Sequence, residues 1–104
     1  MALTMTRTRT QTTLTKLAEM VANVHGELEF LEGLARLPEA QGAGATLEAR
    51  RKKLVSDREA LYATLRQFDP AIDPEAIGVS DGWCRPYGKG LSILGLTRRY
   101  LAAI

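Results

Sequence analysis

Apolar residues recur along the first third of the chain at alternating steps of three and four. Leu14, Leu17, Val21, Val24, Leu28, Leu31 and Ala35 keep this rhythm for three heptads, with no proline among residues 14–31. A period near 3.5 marks a long helix packed at a shallow angle against another long helix. The spacing predicts a helix over residues 11–37. A weaker stripe of Gly26, Phe30, Gly33 and Leu37 follows a second face of that helix. Each glycine inside a helix costs about 1 kcal/mol relative to alanine. The pair therefore implies either close approach of another backbone or a tolerated flexible point beside His25.

The segment PEAQGAGAT, residues 38–46, breaks the rhythm. Pro38 stops a helix, Gly42 and Gly44 supply turn conformations, and Thr46 suits the N-cap of a second helix. A connection this short makes the flanking helices antiparallel neighbours. The second helix is predicted over residues 47–68, where Leu47, Leu54, Leu61 and Phe68 repeat every seven positions and Ala60 and Leu65 widen the stripe. Folding the chain about Gly42 sets Glu32 near Lys52, Glu27 near Asp57 and Arg58, and Glu19 near Leu65 and Arg66. The first helix carries four acids and no base from Glu19 to Glu32, while Arg50, Arg51, Lys52, Lys53 and Arg58 make the facing stretch basic. Exposed pairs are each worth less than about 1 kcal/mol, so the charges select the antiparallel pairing more than they stabilise it.

Beyond Phe68 the style changes. Asp69-Pro70 and Asp73-Pro74 each place a capping acid before a proline suited to a first helical position. Residues 73–78, DPEAIG, read as one helical turn closed by glycine, with Phe68, Ile72 and Ile77 tucked against the open end of the hairpin. Five of the nine glycines fall between Gly78 and Gly95, predicting a loop with a short extended piece at residues 83–85. A last helix is predicted over residues 91–103, apolar at Ile93, Leu94 and Leu101, with Arg98 and Arg99 outward. At the other end, Thr4, Thr6, Thr8 and Thr10 alternate with Met5, Arg7 and Arg9. Neither face of that alternation is apolar, so residues 1–10 read as a flexible Thr/Arg-rich arm. The expected fold is all-α: a coiled-coil-like antiparallel two-helix hairpin over residues 11–68, then a capped turn, a Gly-rich loop and a short C-terminal helix over residues 69–104.

Composition narrows the chemistry. The chain has 104 residues, enough for one small domain, and at 45% hydrophobic and 25% charged it is no disordered tract. Aromatic residues are only 6%, so the core is expected to be aliphatic. A chain this short often gains stability by associating with itself. Fourteen basic against twelve acidic residues leave a net charge of +2, too little to announce a nucleic-acid binder. One cysteine and one histidine supply neither an internal disulfide nor a metal site, and no cofactor or small-molecule substrate is implied. No apolar run reaches the ~20 residues of a membrane span, and the start lacks a secretory signal, so a cytoplasmic location is expected.

The stretch LVSDREALYATLRQFDPAIDPEAI, residues 54–77, resembles a group of small uncharacterised coiled-coil proteins of bacterial mobile genetic elements. GLTRRYL, residues 95–101, is similar to a segment that in some of them begins a winged-helix unit, but only three residues follow it here. The resemblance covers about a quarter of the chain and carries no catalytic motif. It implies an association with mobile DNA.

No phosphate loop, CxxC, HExxH or nucleophile elbow is present, and no catalytic residue or enzymatic activity is expected. Cys84 beside Arg85 meets one condition for a reactive thiolate, but nothing in the spacing brings His25 to it. Candidate nucleic-acid contacts are Arg7, Arg9, Arg50, Arg51, Lys52, Lys53, Arg98 and Arg99. Phosphate neutralisation needs several of them on one surface. The candidate association seam is Leu14, Leu17, Val21, Val24, Leu28, Leu31, Leu47, Leu54, Leu61 and Leu65. Phe30, Leu34, Val55 and Tyr62 fall off this seam, and two hairpins joined as a homodimer would cover them, as would a folded-back C-terminal segment. Self-association is the expected function, with accessory DNA binding as its competitor.

Overall fold

The computed structural model describes residues 9–88 and 92–104, and within them every regular element is helical. Arg7 and Leu91, with the rest of residues 1–8 and 89–91, lie outside the described residues. Two long helices, α1 (Arg9–Leu34) and α2 (Gly44–Phe68), pack side by side as the antiparallel hairpin that the heptads predict. Val21, Leu28, Leu31, Leu47, Leu54 and Leu65 are buried, and Leu14, Leu17, Val24 and Leu61 are partly buried, so the seam pairs within one chain.

Helix ends differ from the sequence reading for local reasons. α1 takes in Arg9 and Thr10, expected in the arm, and stops three residues before Leu37. Leu37 precedes Pro38 and adopts φ −85°, ψ 146°, the extended conformation a following proline imposes. The connection is not an open turn: Pro38–Ala43 forms a 3-10 helix that runs into α2 at Gly44. Thr46 therefore lies inside α2, and the preceding Ala43 supplies no side-chain cap.

Beyond α2 the chain turns back over α1. Asp73 caps a single 3-10 turn, Pro74–Ala76, by accepting the Glu75 N–H at 3.2 Å. Ile72 and Ile77 pack on the Val21, Tyr62 and Leu65 cluster, whereas Phe68, expected to join them, is 44% exposed. Residues 77–88 then form a strap across α1. The Ser80 N–H donates to the Ala22 carbonyl at 2.9 Å, and Ser80 and Trp83 lie directly over Gly26. Position 26 thus has the close backbone approach that its glycine suggests, while no described residue fills the space above Gly33. The predicted extended piece is instead a 3-10 helix, Gly82–Tyr87.

α3 (Ile93–Ala103) closes the fold, capped by the Ser92 hydroxyl, which accepts the Gly95 N–H at 3.1 Å. Its buried face is Thr97 and Tyr100, not the predicted Ile93 and Leu94, which are 67% and 42% exposed. Tyr100 wins because it joins Leu31, Leu34, Ala40 and Leu47 in the core and meets Phe30, Trp83 and Tyr87 ring to ring. The C-terminal segment consequently covers Phe30, Leu34 and Tyr62 within a single chain.

Candidate functional site

Two polar knots fix the C-terminal segment to the hairpin, and their positions decide which surface stays open. The first is at Glu27, whose side chain is 6% exposed. Arg50 grips it with two hydrogen bonds, Nε to Oε2 at 2.7 Å and Nη2 to Oε1 at 2.9 Å, and the Tyr100 hydroxyl donates to Oε2 at 2.6 Å. One carboxylate thus joins α1, α2 and α3. The second knot is His25. Its Nδ1 lies 2.9 Å from the Ile77 carbonyl and its Nε2 2.6 Å from the Tyr62 hydroxyl. A neutral ring satisfies both by donating from Nδ1 and accepting at Nε2. The Tyr62 ring lies between the guanidinium groups of Arg58 and Arg66, at 5.8 and 5.7 Å.

Burial, reinforced by the hydrogen bond to Glu27, holds the Tyr100 hydroxyl well above the ordinary tyrosine range, with Arg50 opposing the shift. The folded chain keeps a proton that the unfolded chain releases near pH 10. This contribution to stability is complete below about pH 10 and drains away as pH rises toward the folded value. Tyr100→Phe is therefore expected to lose about 1–2 kcal/mol near neutral pH yet decline less steeply than the parent in alkaline solution. Urea unfolding at a series of pH values checks both; parallel alkaline slopes would contradict the assignment.

Among the described residues, several of the basic candidates are already matched by acids. Arg50 is committed to Glu27, Arg51 pairs with Glu48 at 2.7 Å, and Lys53 pairs with Asp57 at 3.1 Å. Lys52 is near enough to Glu48 to help lower its pKa, after the larger effect of the Arg51 hydrogen bond. Arg98 and Arg99 are exposed on α3. Arg9 opens α1, eighteen residues before the Glu27 that Tyr100 contacts, or about 27 Å along a helix. The expected pairing of Glu27 with Asp57 and Arg58 is also corrected: its partner is Arg50, closer to the turn. The cause is the compact 3-10 connection, which moves the start of α2 forward to Gly44. Cys84 and His25 are each engaged elsewhere, the thiol with the Asp81 carbonyl at 2.9 Å and the ring with Ile77 and Tyr62.

The half of the hairpin away from the connection has a different character. Met20 is 51% exposed beside the partly buried Val24 and Leu61, and Phe68, 44% exposed, lies two helical turns beyond Leu61 on α2. Met20, Asn23, Val24, Asp57, Ala60 and Leu61 line a groove of about 410 Å³ between α1 and α2. Leu17, Met20 and Val24 follow helical spacing, as do Leu61 and Phe68, so both helices present an apolar edge on this side. The seam alone does not reveal this edge. Its sequence signal is the step of three and four that Met20 makes with Leu17 and Val24.

Among the described residues no group of three or more His, Cys, Asp and Glu side chains is placed to hold a metal, and no helix is long and apolar enough to cross a membrane. No family model, curated protein or solved structure gives a significant match to this chain.

Proposed function

We propose that this chain is a non-enzymatic association module of the cytosol that forms a homodimer through the open half of its hairpin. The observation that carries this reading is the pair of large exposed side chains, Met20 and Phe68, on the apolar edges of that half. Shape supports it. The Cα radius of gyration is 16.7 Å with a long axis of 60 Å, against about 13 Å for a compact chain of this length. Packing a second hairpin on the groove buries apolar surface that one chain leaves wet, and a two-fold axis makes the contact self-complementary.

Sedimentation equilibrium of the full chain tests this. The parent is expected at twice 11.4 kDa. Met20→Glu is expected to weaken the dimer by at least about 100-fold, since a charge in an apolar interface loses its water without gaining a partner. Helicity should not change, because residue 20 is exposed in the monomer. Leu28 is a poorer probe, being 8% exposed inside the chain. A monomeric parent, or a variant dimer as tight as the parent, would refute the reading. The competing reading, an accessory DNA-binding protein linked to a mobile element, is favoured by Arg98 and Arg99, both exposed on α3. Duplex binding that falls steeply with salt and is lost in Arg98→Ala with Arg99→Ala would put it ahead.

A further inference from the structure

The outer face of α1, opposite α2, has two adjoining cavities, one against the strap and the other against α3. The larger, about 670 Å³, is lined by Glu29, Phe30, Asp81 and Trp83 among others. The smaller, about 280 Å³ and almost wholly apolar, is lined by Phe30, Gly33, Leu34, Leu37 and Ile93. They share Glu29 and Phe30 and so form one trough. Its edges carry the two most exposed large hydrophobic side chains among the described residues, Val79 at 58% and Ile93 at 67%. Its acids, Glu29 and Asp81, are both exposed.

Gly33 lies in this trough. Glycine inside a helix is disfavoured relative to alanine, and at Gly26 the strap explains it. At Gly33 no described residue lies within 4 Å of where a Cβ would be, so no contact among the described residues requires glycine there. A small residue facing an open apolar groove lets the backbone of another element approach closely, and an acidic aromatic pocket one turn away suits a cation.

We propose that this trough is a docking site for an amphipathic helix of a partner protein. An aliphatic side chain of that helix enters the groove at Gly33, Leu37 and Ile93. A lysine or arginine of the same helix enters the pocket between Glu29, Asp81 and Trp83. The acidic lining selects the basic partner, and the open backbone at Gly33 sets the depth of approach. This face is separate from the proposed dimer surface at Met20 and Phe68, so the two ideas stand or fall independently.

The test uses a displayed library of random 16-residue peptides selected on the full chain, with Trp83, the single tryptophan, as the fluorescent reporter of binding. Enriched peptides are expected to combine aliphatic residues at helical spacing with Lys or Arg. Gly33→Leu, whose side chain has free space, should be at least as thermally stable as the parent and bind those peptides at least tenfold more weakly. Glu29→Lys with Asp81→Lys should lose a similar factor. Failure to enrich any sequence, enrichment of acidic peptides, or equal binding by Gly33→Leu would overturn the proposal.

Discussion

Gly26→Leu is expected to lift the strap from α1 and to lower stability by about 1–3 kcal/mol. A Cβ at this position overlaps the Ser80 carbonyl oxygen and stands 2.9 Å from Trp83 Cδ1. The obstacle is backbone, which cannot swing aside as a flexible side chain can. The hydrogen bond from the Ser80 N–H to the Ala22 carbonyl then breaks, and Trp83 loses its place against Phe30, where the ring centroids are 4.8 Å apart. Overpacking costs about 1–3 kcal/mol, and each aromatic pair lost adds about 1 kcal/mol. Removing a helical glycine returns about 1 kcal/mol, which leaves the stated net. Trp83 emission should shift to the red while far-ultraviolet circular dichroism retains the signal of α1 and α2. Gly33→Leu provides the contrast, because the same change meets open space there. Equal behaviour of the two variants would show that close approach does not explain position 26.

The second large effect is expected at Arg50. Arg50→Met removes the bidentate partner of a carboxylate that is only 6% exposed, leaving it with the Tyr100 hydroxyl alone. Breaking a fully buried pair typically costs about 3–5 kcal/mol. The Arg50 side chain is itself 27% exposed, so water screens part of the loss and about 2–3 kcal/mol is expected. Pairing the change with Glu27→Gln removes the stranded charge while keeping an acceptor for Tyr100. The double variant should therefore be more stable than Arg50→Met alone, with a coupling of about 1–2 kcal/mol in denaturant titrations. Additive losses would mean that the ion pair contributes nothing of its own.

The hairpin was legible in the sequence because heptad spacing is a local property, and Leu14 to Leu31 and Leu47 to Leu61 carry it without interruption. The Asp73-Pro74 cap was legible for the same reason. What escaped depends on contacts between residues far apart in the chain. Glu27 reads as one of four surface acids until Tyr100, 73 positions later, and Arg50 close over it. The sequence misplaces the buried face of α3 because Ile93 and Leu94 are more apolar than Tyr100. Tyrosine buries more surface, however, and finds a buried acceptor for its hydroxyl. Gly26 and Gly33 look alike in the sequence, and only the strap distinguishes them. The open half of the hairpin was visible only in part. Its apolar edge at Met20 is offset from the seam, and how much of it stays uncovered depends on where the C-terminal segment turns.

The dimer proposal is tested most directly by pulsed dipolar spectroscopy on a chain labelled once, at Met20→Cys. Cys84→Ser leaves a single thiol and retains a donor for the Asp81 carbonyl. Helices pack about 8–10 Å apart, so labels on facing hairpins should give one narrow distance distribution below about 30 Å. A label at Arg98→Cys, on α3, should give a longer one. Absence of dipolar modulation at residue 20, or a shorter separation at residue 98, would contradict dimerisation through the open half of the hairpin.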